Sequence, residues 1–473
     1  MNISDFRKYA HQVADWMADY YEYVEQYPVL AQVKPKEIYE QIPENPPQRG
    51  ESFENIFADF QQVIMKGMTH WQHPSFFAYF NANASPPSVL AEMLIATMGA
   101  QCMIWQTSPS ATELEERMME WLAQMCELPA DFHGVIQDTA STATLCALLC
   151  ARERYTDYQI NEKGFANSPR FTAYCSEETH SSIEKDIKIA GLGKENLRKI
   201  PTDEAFAMLP EQLEEAIKKD LALGLTPLFV TATIGSTSST AIDPLRKIGE
   251  VCKKYQIWLH VDAAYAGNAM ILPEKRYMID GVELADSYLF NPHKWLLTNF
   301  DCTAFYVKDK GNLIRTFEIL PEYLKTKNDQ VVNNYRDWGI QLGRRFRALK
   351  LWFVLRTYGV EGLQNILRAH LQLANYFAEQ LFKNPDFELI APISLNLVCF
   401  RYKPAHIQDE QVLEVINKKI MDSLNASGKV FLTHTKLRGI FTLRVVIGQT
   451  FVNQSHVDNL LALINEQIEK IEK

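Results

Sequence analysis

Four short runs constrain this chain more than any other feature: "RFTAYCS", "PLFVTATIG", "IWLHVDAA" and "CTAFYVKD". Each is nearly continuous in apolar, β-branched or aromatic residues, and helical stretches separate several of them. Strands that are apolar on both sides have no face to give to water. They predict a mainly parallel sheet covered by helices on both faces, hence an α/β fold. The polar and glycine-rich residues that follow such strands then lie at the sheet's carboxyl edge, where open α/β folds bind ligands.

Around this centre the chain reads as three zones. Residues 1–85 carry helical periodicity, a Pro- and Gly-bearing connection, "IPENPPQRGESFENIF", and a helix restarting near Ser52. They end in "THWQHPSFFAYFNANASPP", which is too rich in proline and small polar residues for one regular element. This aromatic segment is either a cover over a pocket or subunit interface, or an apolar strap across the core. Residues 86–365 hold the α/β pattern, and 366–473 alternate helices with "SLNLVCFRY" and "IFTLRVVIG", a smaller α+β domain. Within the central zone Ser110 and Glu113 have capping-box spacing. Leu114, Met118, Trp121, Leu122 and Met125 form the expected apolar face of the helix that follows.

A chain of 473 residues, 47% of them apolar, can fill a large core. With 48 basic against 58 acidic residues, its formal charge of −10 gives no support for nucleic acid or an anionic membrane as partner. No apolar run has the length and freedom from charge of a membrane span, and the amphipathic amino end reads as a helix rather than a signal peptide. Eight cysteines without C-x-x-C spacing read as reduced thiols, which predicts a cytoplasmic protein. No compact Cys/His pattern or H-E-x-x-H points to a metal.

Chemistry concentrates at the strand ends. "GVIQDTASTATLCALLCARERY" passes from a β-like run through hydroxyls into a helix, whose first N–H groups can hold a phosphate with Thr139 and Ser141; a capped structural helix has the same pattern. "ATIGSTSST" adds Gly235 and Thr237, or is only a turn. Asp262 in "IWLHVDAAYAG" is a carboxylate in apolar surroundings and requires a partner. Lys294 in "LFNPHKWLL" is a second ionisable group in an apolar setting. The two either form a salt bridge or divide a cofactor between them, Asp262 on a protonated ring nitrogen and Lys294 in an imine with an aldehyde.

The stretches "HPSFFAYF", "SPSATELEERMMEWL", "GVIQDTAST", "HSSIEK", "LHVDAAYAG", "NPHKWLL", "PEYL" and "LGRRFRALKLWF" resemble the pyridoxal-phosphate-dependent group II decarboxylases, nearest the aromatic-L-amino-acid decarboxylases. The resemblance spans nearly the whole chain. It implies a fold-type I homodimer with shared active sites and pyridoxal 5'-phosphate as cofactor. By the same resemblance, Lys294 binds the cofactor aldehyde, Asp262 pairs with the pyridine nitrogen and His180 stacks over the ring. Thr139, Ser141, Thr237, Asn291 and His293 match positions at or near the phosphate, and Tyr323 matches a tyrosine that protonates the substrate carbon. Tyr79, Phe80, Met103, Trp105 and Gly343 match substrate-pocket or interface positions.

The implied reaction is decarboxylation of an aromatic L-amino acid to its amine. Two rivals use the same scaffold, decarboxylation of a non-aromatic amino acid and an aromatic acetaldehyde synthase. The synthases carry phenylalanine where this chain has Tyr323. A non-enzymatic α/β scaffold leaves Asp262, Lys294 and Tyr323 without a task. The chain departs from the animal enzymes at "FNANAS" and at Met103, where an aromatic is common. Gly343 goes, in plant relatives, with room for indolic substrates.

Overall fold

The computed structural model describes residues 1–166, 168–319 and 331–472; Tyr323 lies outside them. In chain order the helices begin with α1 (Ile3–Tyr23) and α2 (Phe53–Asp59). Next come α3 (Pro86–Met98), α4 (Pro109–Cys126), α5 (Ala140–Tyr155), α6 (Gln159–Lys163) and α7 (Ser182–Ile189). They are followed by α8 (Pro210–Ala222), α9 (Leu245–Tyr255), α10 (Pro292–Trp295) and α11 (Lys310–Phe317). The last are α12 (Arg347–Leu381), broken by non-helical backbone at Gly359, α13 (Glu410–Ala426) and α14 (Gln454–Glu472).

Seven strands form the large sheet: β1 (His133–Gln137), β2 (Phe171–Ser176), β3 (Leu197–Ile200), β4 (Thr226–Thr233), β5 (Trp258–Asp262), β6 (Ser287–Phe290) and β7 (Thr303–Val307). Their order is β1-β7-β6-β5-β4-β2-β3. The pairs β3/β2, β2/β4, β4/β5 and β5/β6 are parallel, and β7 is antiparallel to both neighbours. The four runs expected as strands are β2, β4, β5 and β7. Every residue of β2, β5, β6 and β7 is buried, as expected of strands covered on both faces. α5 covers the middle of the sheet with Ala143, Cys146, Ala147 and Cys150, in one core with Val135, Phe229, Trp258, Leu289 and Phe305.

The contacts divide the chain into two units, one of residues Ala82–Leu371 and Ala391–Leu397, the other of Met1–Asn81, Gln372–Ile390 and Val398–Lys473. The second holds most of a sheet ordered β10-β11-β9-β8, from β8 (Phe387–Leu389), β9 (Leu397–Tyr402), β10 (Thr433–Leu437) and β11 (Ile440–Val446). The aromatic stretch of residues 73–80 is a strap within this unit. Phe77 N–H donates to the Phe431 carbonyl and Val446 N–H donates to the Phe77 carbonyl, both at 3.0 Å. Phe76 and Phe77 are fully buried, whereas Tyr79 is 49% exposed with φ +53°.

Two local expectations are corrected. Ser52 caps α2 by accepting the Asn55 N–H, but Ser110 caps nothing. Pro109 is the first residue of α4 and Ser108 its N-cap, since proline fits the first helical position. The buried stripe of α4 contains Ala111, Glu115, Met118, Met119, Leu122 and Cys126, while Leu114, Trp121 and Met125 are only partly covered. Glu115 turns inward because Arg344 and the Ile136 N–H bind its carboxylate.

Gly267, in the turn after β5, has no room for a side chain: a Cβ there would lie 2.4 Å from Phe290 Cβ. Gly267→Ala is expected to destabilise the protein by about 1–3 kcal/mol, read as a lower urea midpoint. An unchanged midpoint would show that β6 yields freely at that contact.

Candidate active site

Asp262 is the last residue of β5 and is 7% exposed. Its carboxylate accepts the Ala264 N–H at 3.0 Å, and its own carbonyl accepts the Ile234 N–H at 2.9 Å. The Ala264 carbonyl accepts the Asn291 N–H, and the Asn291 carbonyl accepts the Lys294 N–H, each at 2.9 Å. A short hydrogen-bonded path therefore joins the carboxylate on β5 to the lysine that follows β6. Lys294 sits in the one-turn helix α10, with its carbonyl held by Asn83 Nδ2 at 2.7 Å. Burial lowers the pKa of its amine, and the attraction of Asp262 only partly opposes this. A lysine dominated by its ion pair would shift upward, so desolvation wins here.

His180 precedes α7. Its Nδ1 accepts the Ser182 N–H at 3.1 Å and lies 2.9 Å from Ser182 Oγ, which leaves the ring hydrogen of the neutral imidazole on Nε2. Desolvation lowers its pKa, Asp262 raises it and Lys294 lowers it, so the imidazole lies in the field of both charged groups. His260, two residues before Asp262, is fully buried between Thr144 Oγ1, 3.0 Å from Nε2, and Ser287 Oγ, 2.9 Å from Nδ1. Burial pushes it down to about 4.

The amino end of α5 presents hydroxyls and N–H groups of the kind that suit an anion. Thr139 is the N-cap, its Oγ1 accepting the Thr142 N–H, and Ser141 lies in the first turn. Burial works against the charge of the preceding Asp138, but bonds from Thr142, the Thr139 N–H and Gln341 hold its carboxyl below the usual range. Thr303 Oγ1 lies 2.9 Å from Asn291 Oδ1 and 3.2 Å from the Asp138 carbonyl, which ties this helix end to the lysine loop. His293 accepts the Cys302 N–H through Nδ1 at 2.9 Å, and burial with Lys294 beside it lowers its pKa to about 3. Gly235 has φ +79°, and a Cβ there would fall 2.6 Å from Ala266 Cβ. The turn after β4 that carries Thr237 thus closes tightly, fastened by Ser236 and Ser239 hydroxyls 2.9 Å apart.

Met103, Trp105 and Gly343 belong to one strip beside this centre. Cys102 N–H donates to the Arg344 carbonyl at 3.0 Å and Arg336 N–H to the Met103 carbonyl at 2.9 Å. Trp105 N–H reaches Asn334 Oδ1, and its indole N–H reaches Glu113 Oε1. Gln341 Nε2, two residues before Gly343, donates to Asp138 Oδ2 at 2.7 Å. Tyr79 and Phe80 belong to the other unit, where Tyr79 N–H donates to Thr433 Oγ1 and Arg444 stacks over Phe80. Tyr323 falls outside the described residues. Sequence reasoning missed Thr303, Asn83, Asp138 and Gln341. Asp138 and Asn83 lie within the runs "GVIQDTAST" and "FNANAS" but do not stand out there, because the bonds to Gln341 and to the Lys294 carbonyl reach far along the chain.

The donor set fits pyridoxal phosphate. It offers an amine that gives up its proton readily, a buried carboxylate, and hydroxyls at a helix amino end beside a turn with no space for a side chain. The chain matches the pyridoxal-dependent decarboxylase conserved domain over residues 35–403. It is 43% identical to Tryptophan decarboxylase 2 of Oryza sativa subsp. japonica, covering 100% of this chain and 96% of the relative. It is 44% identical to Tyrosine decarboxylase 4 of Petroselinum crispum (96% and 91% covered) and 43% identical to Phenylacetaldehyde synthase of Arabidopsis thaliana (99% and 96%). The solved Oryza sativa TDC with PLP and tryptamine superposes with a TM-score of 0.97 at 37% identity, covering 100% of this chain and 99% of that one.

His260 makes the protein acid-sensitive. Its folded pKa of about 4 lies below the usual 6.5, so the stability it contributes is whole above the unfolded value and is lost as pH falls from 6.5 towards 4. The loss amounts to about 3 kcal/mol. Denaturant titrations from neutrality to about pH 4 should show this limb shrink in His260→Asn; an identical acid slope in both proteins would assign the loss to other groups.

Proposed function

The chain belongs to the pyridoxal-dependent decarboxylase family, and from that premise we propose that it converts an aromatic L-amino acid into its amine and carbon dioxide. One observation carries this reading: Asp262 and Lys294 are linked across neighbouring strands, and the helix end that can hold phosphate is tied to the same loop through Thr303. When bound, pyridoxal phosphate supplies a conjugated ring that takes up the electron pair of the breaking Cα–carboxyl bond.

The residues divide the remaining work. Lys294 presents an amine with a loosely held proton, suited to meeting the cofactor aldehyde and later to displacing the product amine. Asp262 favours a proton on the ring nitrogen. His180 would lie beside the cofactor, and its Nε2 hydrogen would be free to bind and orient the substrate carboxylate. Thr139, Ser141, Thr237, Asn291 and His293 hold the phosphate end, His293 as a neutral donor through Nε2. Tyr323 delivers the proton to Cα. Met103, Trp105 and Gly343 bound the substrate side chain.

The working form in this reading is a homodimer. α3 supports it by exposing Leu90, Leu94 and Met98, an apolar surface of the kind a second copy covers. The eight cysteines are free and buried, which suits a reducing cytoplasm. Among the described residues no helix is long and apolar enough to cross a membrane. The names of the relatives favour aromatic substrates, and the tyrosine at 323 favours amine over aldehyde as product.

Lys294→Ala is expected to abolish turnover and the visible absorption of the lysine-bound cofactor while leaving the far-ultraviolet dichroism unchanged. Full activity in that variant would remove Lys294 from the chemistry. Incubation with a panel of L-amino acids, with carbon dioxide, amine, aldehyde and peroxide measured together, should give amine from aromatic substrates alone. Tyr323→Phe should lower amine formation by about a hundredfold and divert product to aldehyde with peroxide. Undiminished amine would transfer the protonation step to another group.

A further inference from the structure

Asp186 has no part in the scheme above, yet it lies in the same electrostatic field. It belongs to α7, four residues after Ser182, whose N–H fixes the His180 ring. The side chain is 2% exposed, and its Oδ2 is buried with no hydrogen-bond partner among the described residues. α7 packs against α5, and the charged groups whose field reaches the acid are Asp262 at the end of β5 and Lys185 on its own helix. Burial first, and Asp262 second, push the Asp186 carboxyl up to about 7, with Lys185 opposing. An orphaned anion next to a second buried anion is the costliest arrangement of these groups, and a proton on Asp186 removes it.

We propose that Asp186 is a positioning residue of the cofactor pocket: a neutral acid in the field of Asp262 that releases its proton to solvent when a cationic ring seats against Asp262. A positive ring cancels the repulsion from Asp262, so the ionised form of Asp186 becomes affordable and adds a second anion to hold the ring. α7 thereby carries both Ser182, whose N–H fixes His180, and the acid that answers the ring's charge. The proposal rests on the assignment of Asp262 to the ring nitrogen.

Two measurements on the full chain test it, both with Asp186→Asn, which keeps shape and neutrality, and with Asp186→Ala in case the amide folds poorly. The first uses protein freed of cofactor. A folded-state pKa raised to about 7 means that wild type loses stability as pH climbs from about 4 to about 7. The melting temperature of Asp186→Asn minus that of wild type should therefore grow over this window and level off above it; a constant difference overturns the buried neutral acid. The second is the dissociation constant for pyridoxal phosphate. The ratio of wild type to variant should fall by about three- to tenfold between about pH 5.5 and 7.5. A constant ratio alongside a changed melting profile reduces Asp186 to a structural role and overturns the coupling. Asp262→Asn is the control for the underlying reading: if it binds pyridoxal phosphate as wild type does, the error lies in Asp262 rather than in Asp186.

Discussion

An ionised carboxylate at the end of a wholly buried strand is unstable without a counter-charge, and Asp262 is in that position. The Ala264 N–H supplies a dipole and Lys294 lies in its field, yet burial still loosens the lysine's hold on its proton. Asp262 is thus in a position that a cationic group would relieve, while Lys294 gives up its proton more readily than a lysine in water. The parallel sequence β4-β5-β6 makes this possible, because it brings three strand ends to one edge, with Ile234 bonded to the Asp262 carbonyl and Asn291 to the Ala264 carbonyl.

The antiparallel strand β7 has a separate effect. It stands between β6 and β1, so Thr303 at its start meets Asn291 after β6 and Asp138 after β1. One hydroxyl fixes the helix end suited to phosphate relative to the lysine. The distance between those two features matters to any ligand that must touch both, and it is set by the sheet rather than by a flexible loop.

Most of this was legible where the signal was local. Apolar runs marked four strands correctly because burial on both faces leaves no alternation to misread. Asp262 and Lys294 stood out as charges in apolar company. The failures share a cause, dependence on a partner distant in sequence. Glu115 is buried by Arg344, so the face of α4 sits differently from its apolar spacing. Ser110 is the local exception: Pro109 takes the first helical position, which leaves Ser108 at the N-cap with no side-chain cap bond. Thr303 looks like any strand threonine, and Asp186 in "SIEKDIK" reads as one more charge on a solvated helix until α5 is packed against that helix.

Selectivity has a different physical basis from the chemistry. The strips 101–105 and 334–344 are joined through main-chain atoms, Cys102 to Arg344 and Arg336 to Met103, so side chains can change there while the backbone stays in place. Gly343 is such a point. A Cβ added to it would lie 3.3 Å from Gln101 Nε2, the end of a flexible side chain rather than backbone. Gln101 is itself engaged, since its Oε1 accepts the Arg344 N–H at 2.7 Å. A larger residue at 343 therefore presses on Gln101 and on its hold on Arg344; in the proposed reading this is how the substrate side would be altered without touching Asp262, Lys294 or Thr303. The strip is bonded to the helix end by the side chain of Gln341 on Asp138, so it is coupled to the proposed phosphate side there rather than at 343.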